Sequence, residues 1–205
     1  MSAAKEQISV YVMSSGEGAS TDEKILLLAE KYLSEQNGGS KTVTVARTEL
    51  GKPYFTDPEG LFVSVSHSGD YFVCALGSCP VGVDVQTHST HRRESEAEKT
   101  ERLVNIAKRF FHPRELPLLE EDTVSRFFAL WTAKESYVKL TGQGIDNSFS
   151  QICPLPDNTE VFLRDGEVTR WSALGVLFEK RQLTPQDTLC VCAEKPFELT
   201  VYNMM

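Results

Sequence analysis

Residues 127–139 read FFALWTAKESYVK. The spacing of their apolar residues predicts a helix with an apolar face, against which other elements must pack. Wound at about 100° per residue, the helix puts five apolar side chains on one face: Val124, Phe127, Phe128, Trp131 and Val138. Glu135 falls in the middle of that face. An ionised carboxylate without a partner among aromatic groups costs several kcal/mol. The pattern therefore predicts a positive partner for Glu135, either Lys139 in a structural pair or a divalent cation in a functional site.

The length and composition are those of a globular protein with a full core. The chain has 205 residues, of which 40% are hydrophobic and 24% charged, and this predicts one domain of two lobes or two small domains. Its formal net charge of −8 argues against a nucleic-acid binder, because phosphate backbones select basic surfaces. The sequence has no apolar run of membrane-spanning length and no secretory signal pattern, so we expect no membrane partner and a cytoplasmic location.

The cysteines are consistent with that location. There are five, an odd number, without a CxxC spacing, which is typical of buried thiols in a reducing compartment. Cys190 and Cys192 are expected on one face of a strand, since the partner ligands of a metal site do not accompany them.

The N-terminal part predicts short strands around one helix. Either Thr21 or Ser20 caps this helix. The predicted elements are a strand at Ile8–Val12, the helix from about Asp22 to Gln36 with its stop at Asn37-Gly38-Gly39, a strand at Thr42–Ala46 and a stiff loop at Gly51-Lys52-Pro53.

A hairpin with a polar turn is predicted next. Leu61–Ser66 and Tyr71–Leu76 alternate as strands on either side of the segment His67-Ser68-Gly69-Asp70. Hydroxyls, an imidazole and backbone N–H groups in one turn can form an anion-binding nest, or only a polar turn with a hydrogen-bonded histidine. A hydrolase triad is disfavoured because the sequence contains no GxSxG elbow.

The strand Val81–Gln86 combines a carboxylate with a glycine. Alternation sends three valines to the core and places Gly82, Asp84 and Gln86 on the opposite face. Glycine beside a carboxylate leaves room for a ligand to approach the backbone, which suits a hard cation with phosphate oxygens. The alternative is an edge strand whose polar side faces water.

The rest of the chain alternates helices, loops and short strands. Residues 87–102 predict a long exposed connection whose later part can extend the next helix. The other predicted elements are helices at Leu103–Phe111 and Thr123–Leu140, the second ended by Gly142, and strands at Glu160–Leu163, Val168–Trp171, Leu174–Glu179, Leu189–Glu194 and Glu198–Val201 with a turn at Asp165-Gly166.

Five motifs in this order carry a resemblance to a known family. They are Gly51-Lys52-Pro53, VSVSHSGD at 63–70, VGVDV at 81–85, Phe110-Phe111, and WTAKES at 131–136 followed by Lys139. Each motif alone is common, but their joint order and spacing is specific. From Gly51 to Gly144 the chain resembles the surfactin-type (Sfp-like) 4′-phosphopantetheinyl transferases.

The resemblance implies a fold and an activity. The implied fold is α+β, with two similar halves forming a pseudo-dimer and coenzyme A bound between them; residues 1–80 would form the N-terminal half and residues 81–205 the C-terminal half, which carries the metal site. The implied activity is Mg²⁺-dependent transfer of 4′-phosphopantetheine from coenzyme A to a serine of an apo acyl or peptidyl carrier protein, releasing adenosine 3′,5′-bisphosphate. Mn²⁺ could replace Mg²⁺, and the enzyme would act as a monomer. The carrier could belong to a fatty-acid, polyketide or peptide synthase.

Two other functions remain open on the same residues. One is a catalytically inactive module that binds coenzyme A or a carrier. The other is a metal-dependent phosphohydrolase that uses the same Asp/Glu pair with water in place of serine.

The resemblance also implies roles for individual residues. Asp84 and Glu135 are similar to the family's magnesium ligands, and Lys139 to the lysine that holds the diphosphate. Ser66 and His67 are similar to the pair at the 3′-phosphate.

Further implied roles concern the nucleotide end and the proton. Lys52, with Gly51 and Pro53, is similar to the loop at the nucleotide end, and Lys24 could supply a further phosphate contact. Glu115 aligns with an acid that has a base-like or metal-linked role. A general base near the metal would take the serine proton, with Glu135 or a metal-bound water as the candidate.

The chain departs from the family in three places. Gln86 stands where members usually have a second acid, so its amide oxygen is the remaining candidate metal ligand. The N-terminal part is shorter and lacks the family's basic residues, and the segment at 87–102, where relatives meet their carrier, is longer. We expect local positive charge to steer an acidic carrier, and the densest supply is Arg92, Arg93, Arg102, Lys108, Arg109 and Arg114.

Overall fold

The protein has the predicted α+β fold. Its structure is a computed structural model that describes residues 5–16, 18–37, 42–88, 94–146, 148–163 and 168–205. The strands are β1 Glu6–Ser14, β2 Thr44–Arg47, β3 Pro53–Asp57, β4 Phe62–Ser68, β5 Tyr71–Gly77, β6 Val81–Thr87, β7 Val168–Ala173, β8 Val176–Thr184, β9 Asp187–Ala193 and β10 Phe197–Asn203. The helices are α1 Thr21–Asn37, α2 Glu96–Phe110, α3 Thr123–Thr141 and α4 Thr159–Leu163, with 3-10 turns at Leu116–Leu119 and Phe149–Gln151. Within the described ranges, no helix has the length and apolarity required to cross a membrane.

The first sheet has the strand order β10-β1-β5-β4. Its edge strand β10 comes from the end of the chain and runs parallel to β1, with Leu199 opposite Ile8. Helix α1 covers one face and buries Ile25 and Leu28 against Phe72. The predicted division of the chain after residue 80 falls between β5 and β6. Strand β10 belongs to the second half of the chain but pairs in the first sheet.

Ser20 is the residue that caps α1. Its Oγ accepts a hydrogen bond from the Glu23 backbone N–H at 3.2 Å, while the Glu23 carboxylate accepts one from the Ser20 N–H at 2.6 Å. This reciprocal pair satisfies two N–H groups that the first helical turn leaves without partners.

The second large sheet has the order β6-β9-β8-β7, and β2 and β3 form a separate ribbon. The predicted alternation of β6 is confirmed. Val81, Val83 and Val85 are buried in a cluster that includes Val10 and Val73 of the first sheet. The other face of β6 is turned toward α3, the element with which this strand shares an extensive contact.

Helix α3 ends at the glycine that its sequence predicts, and Asp122 caps its start. Asp122 accepts a hydrogen bond from the Ser125 N–H at 3.1 Å, and Gly142 ends the helix with a φ of 74°, a conformation that favours glycine. Lys134 and Ser136 are fully buried although they lie outside the predicted apolar face. The expectation of one apolar face is therefore too narrow, because α3 is covered on several sides.

Gly82 has a role that the sequence analysis did not identify. A Cβ at this position would lie 1.9 Å from the backbone oxygen of Ser136 and 2.7 Å from the backbone nitrogen of Leu140. The room above Gly82 is therefore filled by the α3 backbone, and the interpretation that a ligand approaches there is wrong. The alternative is right that β6 is an edge strand, but wrong that its polar face lies in water, since Gly82 and Asp84 are buried.

Strands β4 and β6 meet through serine side chains. Three backbone N–H groups of β6 donate to hydroxyls of β4: Val83 to Ser64 at 3.0 Å, Val85 to Ser66 at 3.3 Å and Thr87 to Ser68 at 2.9 Å. We call Ser64, Ser66 and Ser68 the serine junction. It satisfies backbone donors on the edge of β6 that does not pair with β9.

The hairpin is longer than predicted. Strand β4 continues to Ser68 and β5 begins at Tyr71, so the turn consists of Gly69 and Asp70 alone, with Gly69 at φ 56°. His67 therefore lies on a strand, and the interpretation of the turn as an anion-binding nest is wrong.

Two further expectations are corrected. The segment 160–163 is helical, because the Asn158 side chain accepts a hydrogen bond from the Glu160 N–H at 3.1 Å and starts α4, which buries Phe162. Strand β3 was not predicted. The predicted helix stop at Gly38-Gly39, the turn at Asp165-Gly166 and the docking residues Arg92 and Arg93 lie outside the described residues.

Candidate active site

Asp84 lies on β6 with only 1% of its surface exposed. Its Oδ1 accepts hydrogen bonds from Lys139 Nζ and from Ser66 Oγ, both at 2.6 Å. Its Oδ2 accepts one from Gln86 Nε2 at 3.0 Å. The buried carboxylate therefore has one cationic partner and two neutral ones.

Glu135 faces this carboxylate from α3. Burial raises the pKa of Glu135 to about 7, the negative charge of Asp84 acts in the same direction, and Lys139 opposes both. Of the two predicted partners for Glu135, Lys139 forms its ion pair with Asp84 instead. Two carboxylates thus share one lysine, and this arrangement suits a further positive charge.

Asp84 and Glu135 fit a Mg²⁺ ion whose remaining ligands would be water and substrate oxygens. Within the described ranges, His, Cys, Asp and Glu form no group of three or more that could hold a metal by itself. Mg²⁺ keeps several waters, however, and commonly binds one or two protein carboxylates together with substrate phosphates. Asp84 and Glu135 supply that pair of hard oxygen donors.

Gln86 lies beside Asp84, as the two-residue spacing on the strand predicts. In the observed orientation its amide nitrogen, and not its oxygen, faces the Asp84 carboxylate. The amide would have to turn over to offer its oxygen to a cation.

A cleft of about 270 Å³ opens next to the carboxylates, and both Glu135 and Lys139 line it. Gly51, Lys52 and Pro53 line the same cleft, together with residues that follow α3. The structure thus brings the Gly-Lys-Pro loop and the charged residues of α3 to one cavity.

Lys52 is fixed at the end of α3. Its Nζ donates to the Leu140 backbone oxygen at 2.6 Å, and burial lowers the pKa of the ammonium group. A cation at a helix C-terminus is favourable because backbone carbonyls there lack partners. Lys52 therefore anchors its loop to the helix that carries Glu135.

His67 lies on the surface next to Ser66, between two lysines. Partial desolvation lowers the pKa of its imidazole, and the positive charges of Lys139 and Lys24 act in the same direction. Lys24 is 8% exposed, and its Nζ lies 3.3 Å from the Ser15 backbone oxygen. His67 therefore lies within electrostatic range of both ammonium groups, which would attract an anion bound beside the ring.

Ser66 is turned away from the cleft. Its side chain is 2% exposed, and the residues of β4 that line the cleft are Ser64 and Val65. Its hydroxyl binds Asp84, Lys139 and the β6 backbone.

Glu115 is not brought to this site. Its carboxylate is fully buried, accepts a hydrogen bond from Lys134 Nζ at 3.0 Å and another from the His112 backbone N–H at 2.6 Å. Lys134 immediately precedes Glu135 on α3, and adjacent helical residues do not face the same direction. Burial raises the pKa of Glu115, and the ammonium of Lys134 opposes that rise.

Arg47 is a residue of the cleft that the sequence analysis missed. It lines the cavity, and its guanidinium donates to the Gly51 backbone oxygen at 2.8 Å. The only sequence signal is its position at the end of a short strand, just before the Gly-Lys-Pro loop. That strand, β2, pairs with β3.

Residues 80–186 match the family model of the 4′-phosphopantetheinyl transferase superfamily. The chain belongs to this superfamily. The matched region contains Asp84, Glu135 and Lys139, whereas Lys52, Ser66 and His67 lie before it.

Three curated members of the superfamily show how far the similarity extends. The chain is 37% identical over 124 residues to the 4′-phosphopantetheinyl transferase gsp of Aneurinibacillus migulanus, covering 58% of this chain and 47% of that protein. It is 32% identical over 125 residues to a 4′-phosphopantetheinyl transferase of Bacillus subtilis, covering 58% and 51%. It is 28% identical over 179 residues to the 4′-phosphopantetheinyl transferase Sfp of Bacillus subtilis strain 168, covering 83% and 72%. The first two matches thus span about half the length of those relatives.

Proposed function

We propose that this chain transfers the 4′-phosphopantetheine group from coenzyme A to a serine of an apo acyl or peptidyl carrier protein, with Mg²⁺ and with release of adenosine 3′,5′-bisphosphate. The observation that carries the proposal is the meeting of Asp84, Glu135 and Lys139 beside a cleft that the Gly-Lys-Pro loop also lines. Superfamily membership supports the reaction class, since the relatives are named for it.

The positive groups around the cleft would bind the phosphates of coenzyme A. Lys139 would contact the diphosphate; its ammonium is partly exposed and its side chain lines the cleft. His67 and Lys24 would bind the 3′-phosphate, since the imidazole and the Lys24 ammonium both pack against the Phe72 ring. Gly51, Lys52 and Pro53 form the wall against which the nucleotide would lie.

The transfer itself exchanges one P–O bond for another. The oxygen of the carrier serine forms a bond to the phosphorus that carries pantetheine, while the bond from that phosphorus to the adenosine phosphate breaks. Lys139 would offset the negative charge that builds on the departing phosphate. Glu135, or a water bound to the metal, would accept the proton of the serine hydroxyl.

Asp84 and Glu135 would hold the Mg²⁺ ion, with Gln86 beside them. The ion, which Mn²⁺ could replace, would supply Lewis-acid stabilisation of the phosphate oxygens. We further propose that the enzyme acts as a monomer in the cytoplasm. All five cysteines are free thiols, which supports a reducing compartment.

The decisive test is mass spectrometry of several apo carriers incubated with the chain, Mg²⁺ and coenzyme A. The expected result is a carrier heavier by one phosphopantetheine group together with one equivalent of adenosine 3′,5′-bisphosphate. EDTA should abolish both products.

Two other outcomes would overturn the proposal. Unmodified carrier together with hydrolysed coenzyme A would indicate a phosphohydrolase. Unmodified carrier and intact coenzyme A, with measurable binding of either one, would indicate an inactive binding module.

A further inference from the structure

A second and larger cavity shares a wall with the candidate active-site cleft. Its volume is about 880 Å³, which is in the range of small-molecule sites. Lys52, Pro53 and Gly142 line both cavities, whereas Glu135 and Lys139 line only the cleft. The second cavity therefore lies outside the catalytic group, and we call it the outer cavity.

The lining of the outer cavity combines buried apolar side chains with two exposed rings. Leu61, Val63 and Val81 contribute apolar surface and are each less than one-tenth exposed. Tyr54 and Phe62 line the same cavity and are 44% and 36% exposed. The face of an exposed aromatic ring attracts apolar groups and cations. The outer cavity thus offers burial to the apolar part of a ligand and ring faces to a positive group.

Three carboxylates also line the outer cavity: Glu49, Glu59 and Glu194. All three side chains are exposed, and within the described part of the chain none of them forms an ion pair. Among the described lining residues the only cation is Lys52, and its Nζ is bound to the Leu140 backbone oxygen at 2.6 Å. Three negative charges therefore face one positive charge that already has a partner.

The cations next to these glutamates in the chain bind elsewhere. Arg47, two residues before the first of them, pairs with Asp22 at 2.5 Å. Lys195, directly after the last of them, pairs with Glu6 at 3.0 Å. The negative field of the outer cavity is therefore left for a cation from outside the chain. The same field would repel phosphates, so coenzyme A is not the expected occupant.

We propose that the outer cavity binds a small organic cation, namely an apolar or aromatic body that carries a primary amine or a guanidinium group. The body would be buried on Leu61 and Val63, and the positive group would face the glutamates and the rings of Tyr54 and Phe62. This site is additional to the proposed transferase site and does not depend on the transfer reaction.

The test compares two probes of similar size: phenethylamine, which is protonated at neutral pH, and phenethyl alcohol, which is uncharged. Their dissociation constants for the whole chain are measured by titration of its amide NMR spectrum. The amine should bind about tenfold more tightly than the alcohol, because several exposed charge contacts each add a modest favourable term. The shifts should centre on Tyr54, Phe62 and Glu194, which line only the outer cavity, and spare Ile145, which lines only the cleft.

Charge variants test the role of the carboxylates. Glu59→Gln combined with Glu194→Gln should remove most of the preference for the amine and leave the affinity for the alcohol unchanged. The matched control combines Glu30→Gln with Glu101→Gln, which changes the net charge equally at exposed positions outside the outer cavity, and it should keep the preference. Tyr54→Ala should weaken the binding of both probes, because it removes ring surface that serves either one.

A titration with saturating coenzyme A decides whether the two sites are separate, and one amine should still bind per chain. Four results would overturn the proposal: equal affinities for amine and alcohol, equal losses in the two double variants, displacement of the amine by coenzyme A, or shifts confined to the cleft. These measurements need neither carrier nor turnover, so failure of the proposed transferase activity would leave them valid.

Discussion

Lys139 of α3 donates to Asp84 of β6 across 2.6 Å, although the two residues are 55 positions apart in the chain. Glu135, also on α3, lies close to this pair. Side chains from a strand and from a helix therefore form one charged site. Because the two carboxylates outnumber the lysine, the cluster carries a net negative charge when Glu135 is ionised, and a cation would balance it.

The first prediction concerns the two carboxylates. We expect Asp84→Asn and Glu135→Gln each to reduce carrier modification by several orders of magnitude, because each removes one of the two hard oxygen ligands. The measurement is the rate of phosphopantetheine transfer at saturating coenzyme A. Glu30→Gln, which neutralises an exposed acid on α1, is the matched control and should retain the wild-type rate. Near-normal turnover of either site variant at ordinary Mg²⁺ would place the metal elsewhere.

The second prediction concerns the 3′-phosphate. His67→Ala should weaken coenzyme A binding by about tenfold to 150-fold, because a hydrogen bond to a charged group contributes ~1.5–3 kcal/mol. The variant should bind 3′-dephospho-coenzyme A as the wild type does. Isothermal titration with both ligands measures the difference, and equal losses for the two would rule out this role for His67.

The elements that the sequence predicts well are those with a strong local pattern. The end of α3 at Gly142 and the alternation of β6 depend on residues that are close in the chain, and both were predicted. The segment at 160–163 has four residues, too few to separate a strand from a helix, and the Asn158 cap decides it.

The contacts that sequence reasoning missed join residues far apart. The position of the α3 backbone above Gly82 and the binding of Ser66 to Asp84 both depend on how β4, β6 and α3 pack together. Glu135 could be named as a candidate because it falls on an apolar helix face, Lys139 because it lies one turn further on, and Asp84 because it shares a strand face with a glycine. Glu115 was named by resemblance alone, and its burial against Lys134 left no signal in the spacing.

The third prediction concerns Gln86, where the chain departs from its relatives. Gln86→Glu should lower the Mg²⁺ concentration for half-maximal carrier modification, because it places a further negative charge beside Asp84. The variant also replaces a donor to Asp84 with an acceptor, so it should be less stable than wild type without metal and should gain more thermal stability when Mg²⁺ is added. A Mg²⁺ titration of transfer and of Tm measures both effects. A higher Mg²⁺ requirement in the variant would show that Gln86 does not face the ion.

The fourth prediction concerns the contact between β6 and α3. Gly82→Ala should destabilise the protein by about 3 kcal/mol or more, because its Cβ would meet backbone atoms that cannot move aside as a flexible side chain can. Urea unfolding measures the loss. Gly16→Ala is the control, since its Cβ would lie 3.2 Å from the exposed Ser14 hydroxyl, and it should change stability by less than about 1 kcal/mol. Similar values for the two variants would contradict the close packing of α3 on Gly82.

The last prediction concerns His88, which is 8% exposed. Its ring stacks on Phe128 with centroids 4.6 Å apart, and its Nε2 lies 2.9 Å from Thr188 Oγ1. Burial lowers the pKa of His88 below its ordinary value of 6.5; the charges of Asp187 and Asp122 oppose this shift, whereas Lys99 adds to it. The folded protein therefore binds a proton at this ring less readily than the unfolded chain does.

The sign of the pH dependence follows from that difference. Above the unfolded pKa of about 6.5, the His88 ring is neutral in both states and its full contribution to stability is present. As the pH falls toward the lower folded pKa, the unfolded state takes up the proton first, so the free energy of unfolding declines. His88→Gln removes this titration, so its unfolding free energy should fall less steeply than that of wild type between about pH 6.5 and 5. Urea unfolding of both proteins at several pH values measures the two slopes. Parallel slopes would mean that the ring can take up its proton inside the folded protein as easily as in water.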